Sequence, residues 1–185
     1  MPGPTDLQDL AVDFLQALVD SLDAIPDADP ALAGAPARAF VNPGVPVWDC
    51  CEQLVVYDPS IGEQSTSPTG PGASSRRHVF GRIPMVRLVG TITRCQAQGT
   101  VVGKTYVPPS PDVKTAESAQ HHADGWAIHN GIFNRLGQGL LGGGRCSEAQ
   151  WEGMEAVTPA GGCGGWTVTI RFQLDGYGYA TPIAS

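Results

Sequence analysis

Leu7, Leu10, Ala11, Phe14, Leu15, Leu18 and Leu22 recur at helical spacing near the start of the chain. Asp9, Asp13, Gln16, Asp20 and Asp23 occupy much of the remaining surface. The pattern predicts an amphipathic helix over 5–23. Thr5-Asp6-Leu7-Gln8 reads as a capping box, in which hydroxyl and carboxamide satisfy each other's backbone amides. Pro26 and Pro30 stop the helix. Thereafter the period changes from helical to alternating. Arg38 to Val41, Cys51 to Tyr57 and Met85 to Cys95 are predicted strands. In the third, Val86, Leu88, Gly90 and Ile92 share one face, and Arg87, Val89, Thr91 and Thr93 share the other.

A second helix is predicted from Ser110, a good N-cap, and Pro111, a good first helical residue, to about Leu136. Val113, Ala116, Ala119, Ala123, Trp126, Ala127 and Phe133 are expected to face inward. Gly125 and Gly131 weaken it by about 1 kcal/mol each relative to alanine, and close packing against a neighbour explains their presence. Trp151 to Val157 and Trp166 to Leu174 make a closing hairpin around Gly161-Gly162-Cys163. In its last strand Val168, Ile170, Phe172 and Leu174 alternate with a wet face of Thr167, Thr169, Arg171 and Gln173.

The resulting order is α-β-β-β-α-β-β. It predicts an α+β fold, a mostly antiparallel sheet with two main helices on one face. A length of 185 residues suits one domain over 1–185. Residues 58–82, rich in Pro, Gly, Ser and Thr, read as a long loop or arm. Residues 99–109 read as a further loop, and 176–185 as a tail.

Charge sharpens the picture. The formal net charge is −7, yet residues 1–30 hold seven Asp and no Lys or Arg, so the imbalance lies in the first helix and the turn after it. Arg76 to Lys104 contains six basic residues and no acid. Segregated charge favours head-to-tail contact between copies, because complementary patches select a register. Asp9, Asp13 and Asp20 are the candidate acidic surface. No segment reaches the roughly 20 apolar residues of a membrane span, and no signal-peptide pattern opens the chain. The expectation is a protein made and kept in a cytoplasm, without membrane contact.

Candidate chemistry is thin. His121 and His129 lie eight apart, about 12 Å along a helix and too far for one ion, and His122 has Trp126 at its helical neighbour position. The glycine-rich run from Gly137 to Gly144 follows a helix and lacks a Walker lysine, so it reads as a hinge or C-cap rather than a phosphate loop. Only Phe80 lies among the arginines at 76, 77, 82, 87 and 94, which disfavours specific single-strand binding. The five cysteines form no CxxC pair. If the strands from 51 and to 95 are antiparallel neighbours, Cys50 or Cys51 approaches Cys95. A Cys51–Cys95 thiol pair is expected, bridged only after cell lysis. No catalytic residue, metal site or cofactor is expected.

These residues carry a resemblance. The first helix, Trp48-Asp49-Cys50-Cys51 before a Leu-Val-Val strand, Leu88 through Arg94-Cys95, the helix from Pro111 and the Gly161-Gly162-Cys163 turn together resemble tail terminator proteins of long-tailed bacteriophages, the siphovirus type, particularly those infecting actinobacteria. The likeness covers most of 5–175, and the order of elements carries it rather than any one motif. It implies a structural virion protein without cofactor or catalysis. A homo-oligomeric ring, a hexamer, would sit at the neck on the head-proximal end of the tail tube. It would stop polymerisation of the major tail tube protein, present a docking face to the head-to-tail connector or stopper, and let DNA pass non-specifically through its lumen. Arg76, Arg77 and His78 of the loop, with Tyr177 and Tyr179 of the tail, are the candidate intersubunit or neck contacts. The alternatives are another head-tail neck protein, a stopper or adaptor, and a small hydrolase using Cys50 or Cys51 with a histidine.

Overall fold

A computed structural model describes residues 4–43, 52–64, 83–142, 146–160 and 162–174. Helix α1 spans Pro4–Asp23, and a single turn, α2, spans Ile25–Ala28. Strands β1 (Ala39–Asn42), β2 (Gln53–Gln64) and β3 (Ile83–Cys95) follow. A small hairpin, β4 (Thr100–Val102) and β5 (Thr105–Val107), leads into helix α3 (Pro111–Gly137). Strands β6 (Cys146–Ala160) and β7 (Cys163–Leu174) close the described chain.

The expected α+β class holds. The main sheet has the order β1-β2-β3-β7-β6, with β1 parallel to β2 and every other pair antiparallel. Alternation sets which residues meet the helices. Leu88, Gly90, Ile92 and Arg94 face them from β3, and Val168, Ile170, Phe172 and Leu174 do so from β7, all buried. Both helices lie on this one face. On α1, Leu10, Phe14, Leu18 and Leu22 are fully buried, with Phe14 edge-on to Phe172 at 6.2 Å between ring centres. Gly90 lets α1 sit close to the sheet there, because a Cβ would come within 2.5 Å of Leu18 Cδ1.

Four expectations change. First, α1 starts at Pro4, so Thr5 lies inside it rather than capping it. Second, β2 continues to Gln64 through an irregularity between Tyr57 and Ser60, so 58–64 of the expected loop is strand paired with β3. Third, the expected loop 99–109 contains the β4–β5 hairpin. Fourth, the inward face of α3 is rotated from the one its apolar residues suggest. Asp124, Gly125, Ile128 and Ile132 are buried, whereas Val113, Trp126 and Phe133 are exposed. The inward side carries the fully buried Ile128 and Ile132 together with Asp124, whose buried carboxylate is matched by Arg94.

The sheet face away from the helices is also buried through its middle, at Gln53, Val55, Val89, Thr91 and Thr93. Thr91 and Thr167, opposed in the β3–β7 register, pair through their hydroxyls at 3.1 Å. The buried carboxamide of Gln53 has no hydrogen-bond partner among the described residues. Strand β6 forms one edge of the sheet, and its pairing with β7 shifts register in three places.

Candidate functional site

The functional surface is organised along α3, which carries buried chemistry at its middle and bare apolar surface outside. Ser110 caps the helix as expected, its hydroxyl accepting from the amide of Val113 at 3.4 Å. At the other end Gly139, at φ 64, supplies the left-handed residue that ends the helix, and the amide of Leu140 returns to the carbonyl of Arg135 at 2.9 Å. The glycine-rich run therefore begins as a C-cap.

Arg94 and Asp124 form a two-point ion pair in the interior. Arg94 Nε donates to Asp124 Oδ2 at 3.0 Å and Nη2 donates to Oδ1 at 2.8 Å. Asp124 is fully buried. Arg94 Nη2 also donates to the carbonyl of Gly34 at 2.6 Å. Gln120 donates to Asp124 Oδ1 at 2.9 Å and clasps Ala33 through both its amide and its carbonyl. One network thus fastens β3, α3 and the turn after α2. Arg87, another member of the basic run, reaches Glu152 at 2.7 Å. Both arginines are spent on carboxylates of the chain itself.

Beside this network Trp166 lies under α3. Its indole donates to the carbonyl of His121 at 2.7 Å, and its ring stacks on the His121 imidazole at 4.5 Å between centres. Gly125 makes room, since a Cβ would fall 2.7 Å from the indole. Burial holds the His121 pKa below the ordinary histidine value, outweighing the raising effect of Asp124, and His122 adds to the lowering. Nearby, burial raises the Glu117 pKa, but hydrogen bonds from Lys114 and the Ala97 amide, with the charge of Lys114, hold it below the ordinary carboxylate value.

The outer side of α3 is aromatic. His129 lies between Trp126, Phe133 and Trp151, with Phe133 and Trp151 centred 4.9 Å apart. Trp126 is 70% exposed. Next to it a groove of about 510 Å³ opens between the end of α1, α2 and α3. Ile25, Leu32, Ala123, Trp126 and Ala127 give it an apolar lining, with Asp20 and Asp29 among its polar lining residues. Small residues bring its walls together, for a Cβ at Gly131 would strike Ser21.

The expected acidic surface divides. Asp20 is exposed but ion-paired with Arg135 and accepts from Gln16 at 2.7 Å. Asp9 and Asp13 are half-buried and engaged in interactions of their own. Cys95 is exposed and in no disulfide, and Cys51, its partner in the expected thiol pair, lies outside the described residues. The described cysteine that carries a disulfide is Cys163, directly opposite Cys95 in the β3–β7 register. The antiparallel pairing assumed for the bridge does hold, with Gln53 opposite Thr93. Cys50, Cys51, Arg76, Arg77, His78, Tyr177 and Tyr179 lie outside the described residues.

Sequence reasoning missed Asp124 and the groove. Arg94 offered a signal, because it falls on the core-facing side of its strand and a buried arginine requires a carboxylate. No group of three or more His, Cys, Asp or Glu among the described residues could hold a metal ion. No described helix is long and apolar enough to cross a membrane. No protein-family model matches the chain, and no curated protein matches it.

Proposed function

We propose that this chain is a structural assembly protein that closes into a ring, and that the ring is a tail terminator of a long-tailed bacteriophage. In this reading the ring, a hexamer, caps the head-proximal end of the tail tube and stops its growth. It then offers a docking face to the head connector while DNA passes through its lumen. The observation that carries the reading is apolar surface left bare at two separate places. One is Trp126 on the outer side of α3, and the other is the β4–β5 hairpin beyond the opposite end of that helix. Separate bare apolar surfaces mark interaction sites. Unlike patches on one chain support head-to-tail contact, which generates rings when the rotation closes. The acid-only stretch of residues 1–30 supports the same asymmetry.

The test is native mass spectrometry with negative-stain imaging, on the protein alone and mixed with growing tail tubes. A six-subunit ring at one tube end, with elongation arrested, is the expected result. Tubes that lengthen unchanged at saturating protein overturn the reading.

A further inference from the structure

We propose that the β4–β5 hairpin of one copy inserts into the groove between α1, α2 and α3 of a second copy. The proposal rests on the assembly reading above and names the contact that would build the ring.

Each hairpin strand has three residues, and all six are exposed. Val101 opposes Tyr106, so their side chains share one side of the ribbon, and Val102 and Val107 fall on the other. Val101 is 70% and Val102 66% exposed. A lone two-stranded ribbon is marginal in water, and this one leaves apolar side chains bare on both sides. A flat surface would cover one side only, whereas a groove covers both.

The groove matches in chemistry and charge. Ile25, Leu32 and Trp126 offer apolar walls, and the exposed Asp29 lines it, while Asp20 and Arg135 of the lining pair with each other. The ribbon turns through Gly103, at φ 66, and Lys104. That turn places a cation at the leading tip, and Lys104 makes no ion pair among the described residues. An apolar ribbon tipped by lysine fits an apolar groove lined by the carboxylate of Asp29.

The occupant is a second copy rather than the same chain. The hairpin ends before Ser110, and the α3 residues of the groove begin at Ala123. The twelve helical steps from Pro111 to Ala123 span about 18 Å, while a three-residue strand reaches about 10 Å. Knob and socket therefore sit apart on one molecule, as a head-to-tail contact requires.

The test places the photo-crosslinker benzoylphenylalanine at Tyr106 and, in a second variant, at Val101, in mixtures of isotope-labelled and unlabelled full chain. The expected product joins the hairpin of one copy to a peptide within 20–32 or 123–135 of another. In parallel, Lys104→Glu is expected to weaken self-association about fivefold, the scale of one exposed ion pair. Asp29→Lys in the same chain should restore it. Crosslinks elsewhere on the second copy, crosslinks within one chain, or crosslinks to tail tube protein alone overturn the proposal. Rings that cap tubes while crosslinking elsewhere sink this contact and leave the terminator reading intact. Crosslinks in the groove from rings that never arrest tubes support this contact and sink the terminator reading.

Discussion

Arg94 and Asp124 meet through two hydrogen bonds in the interior, and Asp124 is wholly shielded from water. Removing one partner leaves the other charge buried and uncompensated, a loss of about 3–5 kcal/mol. Asp124→Ala and Arg94→Met should each lower the urea midpoint by that measure. The double variant should lose less than the sum, because neither charge is then stranded. Additive losses would show that the two side chains act independently.

Gly131 lies against Ser21 where α1 and α3 touch. Gly131→Ala gains helix propensity of about 1 kcal/mol but forces a methyl into Ser21, at a typical overpacking cost of about 1–3 kcal/mol. A net loss of stability is expected on thermal melting. Ser21→Gly should recover part of it, since the blocking atoms include the serine Cβ. A Gly131→Ala variant more stable than the parent would refute the close approach.

His121, stacked on Trp166, has a pKa held below the ordinary value of 6.5 by burial. The unfolded chain therefore binds this proton more readily than the folded one. Its contribution to stability is full above about pH 6.5 and is lost as pH falls through the folded value. Denaturation of the parent and of His121→Gln across pH 5 to 8 measures this. The parent should lose stability towards pH 5 more steeply than the variant, and parallel curves would contradict the assignment.

Trp126 is largely exposed, so Trp126→Ala should change monomer stability by no more than about 0.5 kcal/mol. Its expected effect lies in association, read as a shift towards monomer in sedimentation velocity. A variant that melts several degrees lower while assembling normally would make Trp126 a core residue instead.

Cys95 is exposed and Cys163 is buried in a disulfide. Brief iodoacetamide treatment of the native protein should label Cys95, and label Cys163 only after reduction and unfolding. Peptide mass mapping reads both sites. Rapid labelling of Cys163 without reductant would contradict the disulfide.

What the sequence revealed follows from where the physics is local. The leucine spacing of 7–22 and the alternation of 166–174 each bury one face, so pattern and burial agree in α1 and β7. Ser110-Pro111 marks its helix start through a backbone rule alone. The orientation of α3 was hidden, because its apolar residues are scattered and the inward side carries a carboxylate, Asp124, whose partner Arg94 lies on a distant strand. The hairpin was hidden for the opposite reason. Val101-Val102 and Tyr106-Val107 flank a two-residue turn, but all four stay exposed and so leave no amphipathic signature. The groove is lined by the small residues Ala123, Ala127 and Gly131, and Gly131 meets Ser21 across a helix crossing that no local window contains.

The broken register of β6 governs how copies can join. An unbroken edge of fifteen residues would be an open template for another strand, and strand after strand could add without limit. The three shifts against β7 cut that edge into short lengths, and Glu148 and Glu155 place exposed charge along it. The opposite edge, β1, is only four residues long. Among the described residues the borders of the sheet are thus short or broken, which disfavours strand-by-strand growth and favours side-chain contacts, which can count copies and stop.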